Sequence, residues 1–179
     1  MDTQQVQRDA AGTLRCRECG FAYALTPDQV ADRTESGLAA VQAAVRGAPE
    51  DQRARRPAPA VWSVNAYTAH LADAMRMMQG RIQLIAARDR PALASHDQDQ
   101  AVADGCFDAR AAPAARADLT RTAQAIAACV RALPPDAWDR VGLHSEAGEV
   151  RLSDIAHDVP HELEHHAGDI RRLVDSARS

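Results

Sequence analysis

The sequence predicts an all-α protein, a four-helix bundle at residues 26–179 preceded by a short N-terminal extension at residues 1–25. Composition favours this fold: apolar residues make up 46% of the 179 residues and aromatic residues only 3%. Alanine is abundant, which suits closely packed helices better than a sheet. Four segments carry apolar residues at helical spacing, and capping residues and prolines mark their ends. The chain is long enough to bury one core of its own.

The first two helices have clear starting signals. Thr26-Pro27-Asp28-Gln29 is a capping box with proline at the first helical position, and helix one is expected to end at residues 46–49. The next segment is rich in proline and arginine and is expected to be a connection. Ser63 can cap helix two, which should end near Arg88.

The second half of the chain predicts two more helices. Residues 89–112 show no apolar period and are expected to form a long loop. Pro113 opens helix three, and Pro134-Pro135 closes it. After a turn-rich stretch, Ser153 can cap helix four. Pro160 predicts a bend in that helix, because proline removes a backbone hydrogen bond.

Charge and hydropathy limit the partners. All 21 basic residues are arginine, and the net charge of -4 argues against nucleic acid, since a protein that covers phosphates needs a positive face. No segment approaches the roughly 18 apolar residues of a membrane span, and the start of the chain lacks the apolar core of a signal peptide. We therefore expect a cytoplasmic protein with a small-molecule substrate and no membrane partner. A homodimer is compatible with a bundle of this size.

The last helix carries the densest group of potential metal ligands. The string HELEH at residues 161–165 matches H-E-x-x-H, the pattern of zinc proteases. On a helical wheel, however, Glu162 and His166 fall beside the apolar arc, whereas the two histidines of the string point away from it. The longer protease pattern would put its last ligand at Arg171, which cannot coordinate a cation. We therefore favour Glu162 and His166 as the inward-facing pair and reject the protease.

Three segments resemble the DinB/YfiT-like superfamily, which includes mycothiol-dependent maleylpyruvate isomerases and bacillithiol- or mycothiol-dependent S-transferases. They are WSVNAYTAHLAD at residues 62–73, ARDRPAL at residues 87–93 and HELEHHAGDI at residues 161–170. The resemblance covers roughly residues 26–174. It implies a four-helix bundle with a divalent metal, usually zinc or nickel. One histidine of the second helix and a pair of residues spaced by four on the last long helix would hold that metal.

Carried onto this chain, the resemblance makes His70 the first ligand, although a lone helical histidine is more often a hydrogen-bonded boundary residue. The last helix offers two registers, Glu162 with His166 or His161 with His165, and the helical wheel favours the first. Three protein ligands would leave open positions for water or a thiolate.

The resemblance implies that the metal activates a small-molecule thiol, mycothiol or similar, for S-transfer or isomerisation on an electrophile. The alternatives are a metal-dependent hydrolase that activates water and a non-catalytic ligand-binding or stress-response bundle. Asp73, His144 and Asp169 are candidates for catalytic or supporting roles, and surface roles are equally compatible with each. Arg55 and Arg56 could receive an anionic substrate or the thiol, although a solvated linker would have the same composition.

A C-x-x-C-G knuckle precedes the first helix at Cys16 and Cys19. A structural zinc site needs four ligands, and the other two cysteines, Cys106 and Cys129, are isolated in the long loop and the third helix. Three interpretations stay open: a reduced pair without a ligand, a separate structural zinc site at Cys16 and Cys19, which two chains could share, and a redox pair.

Overall fold

Four long helices form a bundle in the computed structural model, which describes residues 6–58, 61–95 and 98–176. The first five residues, part of the stretch considered for a signal peptide, lie outside this description. The long helices are α1 (Pro27–Gly47), α2 (Val64–Ala87), α5 (Ala112–Arg131) and α6 (Leu152–Ser176). Both α1 and α2 pack against α5 and α6, so α1 and α2 occupy opposite corners of the bundle. The predicted four-helix bundle is confirmed.

The capping signals act as expected at the first two helices. The Thr26 hydroxyl accepts a hydrogen bond from the Gln29 backbone N–H, and the Gln29 side chain accepts one from the Thr26 N–H. The Ser63 hydroxyl accepts from the Ala66 N–H at 3.0 Å. These bonds satisfy N–H groups that the first turn of a helix leaves unpaired.

The start of α6 differs from the prediction. The helix begins at Leu152, so Ser153 lies inside its first turn and is buried instead of capping it. The side chain of Asp154 accepts a hydrogen bond from the Arg151 N–H at 3.2 Å, which satisfies a backbone donor at the helix start. Pro160 lies within α6, which continues across it without a break. The predicted bend at Pro160 stays a prediction.

Two small sheets modify the all-α prediction, and two short helices replace part of the loop expected at residues 89–112. Strands β1 (Val6–Arg8) and β2 (Leu14–Cys16) pair in the N-terminal extension, and β3 (Ala92–Leu93), β4 (Val141–His144) and β5 (Gly148–Arg151) form a second sheet in that order. The stretch expected to be a loop also contains α3 (Gln98–Ala103) and α4 (Cys106–Ala109). Segments of two to six residues are too short for their periodicity to be recognised.

The core lies between the inward faces of the four long helices. The apolar arc of the helical wheel on α6 consists of Ile155, Val159, Leu163, Ile170, Leu173 and Val174. All of them are buried except Leu173, which is partly buried and packs against the core. At Gly37 of α1 an added Cβ atom would lie 2.9 Å from the Leu163 Cβ, so only glycine allows this close approach of α1 to α6. Among the described residues, no helix is both long enough and apolar enough to cross a membrane.

The N-terminal extension packs on α6. Phe21 is buried, and the Arg33 guanidinium lies 4.4 Å from the centre of its ring. Arg33 of α1 in turn forms an ion pair with Glu164 of α6, with 2.8 Å between Nε and Oε1. The imidazole of His157 hydrogen-bonds with the backbone of Leu25, where the extension joins α1. The extension therefore covers a face of α6 that the bundle itself leaves open.

Candidate metal centre

Side chains from α2 and α6 meet at one carboxylate oxygen. His70 Nε2 lies 3.3 Å from Glu162 Oε2, and His166 Nε2 lies 3.4 Å from the same oxygen. One potential ligand atom from each of the three residues lies within 4.8 Å of the other two. His70 is only 2% exposed, whereas the Glu162 side chain is 24% exposed. The cluster thus lies at the edge of the core and keeps partial access to solvent.

Local structure explains how these residues meet. Glu162 and His166 are four residues apart on α6 and therefore share one face of the helix. His70 lies about two turns into α2, and α2 packs against α6. The helical wheel places the Glu162/His166 pair toward the bundle, and this pair is the one that contacts His70.

Without a metal, the three side chains form a charged network. Burial by itself would raise the pKa of Glu162, but hydrogen bonds and positive charge from His166 and His70 lower this pKa well below its usual range. Burial opposes protonation of His166, yet hydrogen bonds to Asp169 and Glu162 raise its pKa to about 9. A cation at this point would replace the proton of His166 and interact with the same carboxylate.

The donor set fits a transition metal. Two imidazole nitrogens and one carboxylate oxygen suit zinc or nickel, and three protein ligands leave coordination positions open, as in catalytic sites. Calcium or magnesium would favour a shell of oxygen atoms instead. The residues present therefore fit the metal that the sequence resemblance implies.

Asp169 supports His166 from behind. Its Oδ2 lies 2.6 Å from His166 Nδ1 and 3.6 Å from His165 Nε2, and its Oδ1 pairs with Arg172. A carboxylate on the far nitrogen of a ligating histidine fixes the tautomer and ring orientation in many metal sites. Of the three catalytic candidates from the sequence, Asp169 is the one in contact with the cluster, where its position is that of an orienting residue.

Three aromatic rings line the cluster. The Trp62 and Phe107 rings lie 5.1 and 5.5 Å from the His70 ring, and the Tyr67 ring lies 5.4 Å from the His166 ring. Trp62 and Tyr67 belong to the motif at residues 62–73, but the motif alone did not indicate that their rings line the site. Phe107 belongs to α4, inside the stretch expected to be a loop. In the sequence, Phe107 is distinguished only by being a large apolar residue in a polar, alanine-rich stretch.

The other two catalytic candidates lie elsewhere. His144 is in strand β4, where its Nδ1 accepts hydrogen bonds from the backbone N–H groups of Glu146 and Ala147. Its Nε2 lies 3.2 Å from the Arg81 guanidinium. Asp73 forms an ion pair with Arg76 on the same helix. Neither residue is one of the three potential ligands that come together with His70.

The two candidate arginines for thiol or anion binding have separate surroundings. Arg55 lines a cavity of about 250 Å³ together with Val64 and Leu173, and none of the three potential metal ligands lines this cavity. Arg56 forms an ion pair with Asp108, the neighbour of Phe107. Arg56 thus holds the segment that brings Phe107 against His70, and a role for either arginine in binding stays a prediction.

The second register on α6 forms a cluster of its own. His161 and His165 lie beside Cys16 and Cys19, and one potential ligand atom from each of the four residues lies within 4.8 Å of the others. The helical wheel placed both histidines away from the apolar arc, but His161 is only 7% exposed because the N-terminal extension covers it. Burial lowers the pKa of His161 to about 4, so that its ring is neutral at pH 7.

The fold and the first cluster define a class of protein, helical bundles whose candidate metal ligands come from facing helices. The chain belongs to the DinB superfamily, whose family profile matches residues 33–170. Among solved structures it is similar to YfiT from Bacillus subtilis, described as a probable metal-dependent hydrolase with an unusual four-helix bundle topology. The two share 20% sequence identity, with a TM-score of 0.75 over 93% of this chain and 94% of that chain. At this identity the likeness concerns the fold, and no curated protein matches the sequence.

Proposed function

We propose that the protein is a metal-dependent enzyme in which His70, Glu162 and His166 hold a divalent metal, zinc or nickel. The proposed reaction is transfer of a small-molecule thiol such as mycothiol to an electrophile, or a thiol-dependent isomerisation. The observation that carries the proposal is the convergence of two imidazole nitrogens on one carboxylate oxygen, at 3.3 and 3.4 Å, from two facing helices.

A divalent metal with open coordination positions lowers the pKa of a thiol or a water molecule bound to it. The protein's own residues prepare that site. Asp169 pairs with the Nδ1–H group of His166, so the Nε2 atom beside Glu162 is the one that would lose its proton and bind the metal. The carboxylate of Glu162 compensates positive charge in a partly buried place, where charges interact more strongly than in water.

The aromatic residues define the substrate side of the site. Trp62 and Phe107 exclude water from one side of His70, and Trp62 also lies 5.2 Å from Tyr67, measured between ring centres. Burial raises the pKa of Tyr67, so its hydroxyl stays protonated and can donate a hydrogen bond at physiological pH. Flat apolar rings with neutral hydrogen-bond donors suit a small organic electrophile better than a highly charged substrate.

Hydrolysis is the second candidate reaction, because the structurally similar YfiT is described as a probable metal-dependent hydrolase. The same three ligands could serve a water molecule in place of a thiol. The two reactions differ in one observable property: S-transfer and thiol-dependent isomerisation need a thiol, whereas ester or amide hydrolysis proceeds without one.

The first experiment measures metal content by mass spectrometry on protein purified without a metal-affinity tag. We expect Glu162→Ala and His166→Ala to lose a metal that the wild-type protein binds. The matched control is Glu149→Ala, which removes an exposed carboxylate paired with Arg90 far from the cluster. Circular dichroism must show that each variant keeps its helices. If both cluster variants keep the full metal content of the wild type, the assignment of these ligands is wrong.

The second experiment tests turnover. Metal-loaded protein is assayed with a panel of electrophiles in the presence and absence of low-molecular-weight thiols, and with simple esters and amides. Thiol-dependent turnover that Glu162→Ala abolishes supports the proposed reaction. Turnover without thiol supports hydrolysis instead. If the metal-loaded wild type consumes neither thiol nor ester, the bundle is a non-catalytic binding protein and the proposal is rejected.

A further inference from the structure

Four potential metal ligands outside the proposed catalytic cluster meet between the N-terminal extension and α6. We propose that Cys16, Cys19, His161 and His165 bind a structural zinc ion that fixes the extension to the last helix. One potential ligand atom from each residue lies within 4.8 Å of the others. The proposal does not depend on the proposed enzymatic function, because the two clusters share no ligand.

The ligand types and their spacing fit zinc. Two thiolates and two imidazoles form a Cys2His2 set, and both pairs have the usual short separations, C-x-x-C and H-x-x-x-H. In a tetrahedral zinc site with bonds of about 2.0–2.3 Å, neighbouring ligand atoms are about 3.3–3.8 Å apart. Cys16 Sγ and His165 Nδ1 are already 3.9 Å apart. Side-chain rotations that move the other ligand atoms by about 1 Å would bring them to the separations that zinc requires.

The backbone of the extension directs both thiols toward α6. Cys16 is the last residue of β2, and its C=O accepts a hydrogen bond from the Gly20 N–H at 3.0 Å. Gly20 has a φ of +75°, a conformation that glycine adopts without strain and that closes the turn after Cys19. The backbone N–H of Phe21 donates to the Cys19 sulfur. A donor at this point would stabilise a thiolate.

The two histidines also present suitable atoms. His161 Nε2 is buried and has no hydrogen-bond partner among the described residues, an unfavourable arrangement that a bond to a metal would satisfy. Its Nδ1 lies on the other side of the ring, 3.7 Å from Glu162 Oε1. His165 turns Nδ1 toward Cys16, while its Nε2 lies 3.4 Å from Glu18 and 3.6 Å from Asp169. Carboxylates in these positions would hold His165 in the tautomer that zinc needs.

The surroundings indicate a structural role for this ion. Four protein ligands complete the tetrahedral coordination of zinc and leave no position for a substrate. The rings of Phe21 and Tyr23 contact His161 at 5.4 and 5.2 Å between ring centres and cover it on the side of the extension. The ion would connect a short two-stranded sheet, too small to be stable alone, to the longest helix of the bundle.

The test combines zinc content per chain with X-ray absorption at the zinc edge, on protein prepared without a metal-affinity tag and kept under a reductant. We expect the wild type to show sulfur ligands at about 2.3 Å. The Cys16→Ser/Cys19→Ser variant should lose one zinc ion per chain and the whole sulfur signal. The Glu162→Ala/His166→Ala variant should keep that signal, which separates this proposal from the proposed catalytic metal. Cys106→Ser, an exposed cysteine outside the cluster, is the matched control.

Because Cys16 is buried, the double variant could fail to fold, so Cys19→Ser is measured as well. Cys19 is exposed, and its replacement leaves three ligands. We expect its zinc dissociation constant, measured by competition with a chromophoric chelator, to rise at least 100-fold relative to Cys106→Ser. An unchanged dissociation constant would overturn the proposal. A wild-type zinc spectrum without sulfur ligands, or a Cys16–Cys19 disulfide that persists under the reductant, would also overturn it.

Discussion

Replacement of Asp169 tests whether this carboxylate positions His166 for metal binding. The separation of 2.6 Å between Asp169 Oδ2 and His166 Nδ1 is short, as expected of a charge-assisted hydrogen bond. Loss of such a supporting carboxylate weakens metal binding by about 10- to 100-fold, or about 1.4–2.7 kcal/mol. Asparagine can still accept a hydrogen bond but carries no charge, so above pH 9 we expect metal binding to weaken about 10-fold in Asp169→Asn and about 100-fold in Asp169→Ala.

The effect of Asp169 on metal affinity depends on pH. Asp169 and Glu162 hold the pKa of His166 at about 9, so a proton competes with the metal at neutral pH. Each pH unit below the pKa weakens metal binding tenfold, so at pH 7.5, about 1.5 units below the pKa, the proton weakens binding by about 30-fold. Removal of Asp169 lowers the pKa of His166 and relieves part of the competition. The ratio of variant to wild-type dissociation constants should therefore be small at pH 7.5 and largest above pH 9.

The assay is competition with a chromophoric chelator between pH 7 and pH 10, with helical content followed at each pH. Asp139→Asn is the control, because Asp139 is exposed and lies 3.8 Å from its partner Arg151, away from both clusters. Its dissociation constant should follow that of the wild type at every pH. If Asp169→Ala stays within twofold of the wild type above pH 9, Asp169 does not position the ligand and the reasoning is refuted.

Three further predictions concern the bundle and its first cluster. Gly37→Ala should lower the free energy of unfolding by about 1–3 kcal/mol, because the added methyl group would lie 2.9 Å from the Leu163 Cβ. Calorimetry should show the melting temperature fall by about 2–4 °C per kcal/mol. An unchanged melting temperature would contradict this packing. At pH 7.5, in protein whose Cys16/Cys19 cluster is already loaded with zinc, metal binding at the first cluster should displace about one proton from His166. Titration calorimetry in buffers of different ionisation enthalpy measures this proton, and identical heats in all buffers would show that the histidine is neutral beforehand. Phe107→Ala should lower the free energy of unfolding, measured by urea denaturation, by about 3 kcal/mol, because Phe107 is 6% exposed and packs on His70. A loss below about 1 kcal/mol would show that α4 contributes little to the packing around His70.

The long helices were predictable because their signals are local. The capping box at Thr26 and the cap at Ser63 each depend on residues within one turn, and the apolar stripe of α6 repeats over many turns. Short elements were not predictable in this way. Strand β3 has two residues, and its pairing with β4 depends on residues about 50 positions later in the chain. Phe107 could not be connected to His70 for the same reason.

Of the first cluster, the pair Glu162 and His166 was predictable, because both residues lie on one helix. Four-residue spacing and the wheel favoured Glu162 and His166, whereas the surroundings of His161 depend on a segment from the opposite end of the chain. Cys16 and His165 are 149 residues apart in sequence. A helical wheel describes one helix against one core, so it assigns to solvent any face that another segment covers. The wheel therefore predicted an exposed His161, whereas the extension buries it.

The two registers on α6 need not be alternatives. The string of residues 161–166 contains two pairs with four-residue spacing, offset by one residue and so rotated by about 100° around the helix. One pair meets α2 and the other meets the extension. Asp169 follows four residues after His165 and three after His166, and it contacts both rings. An Asp169 variant should therefore weaken both proposed metal sites, whereas each ligand variant should empty only its own. If Asp169→Ala affects the catalytic cluster alone, Glu18 is sufficient to orient His165 in the zinc site.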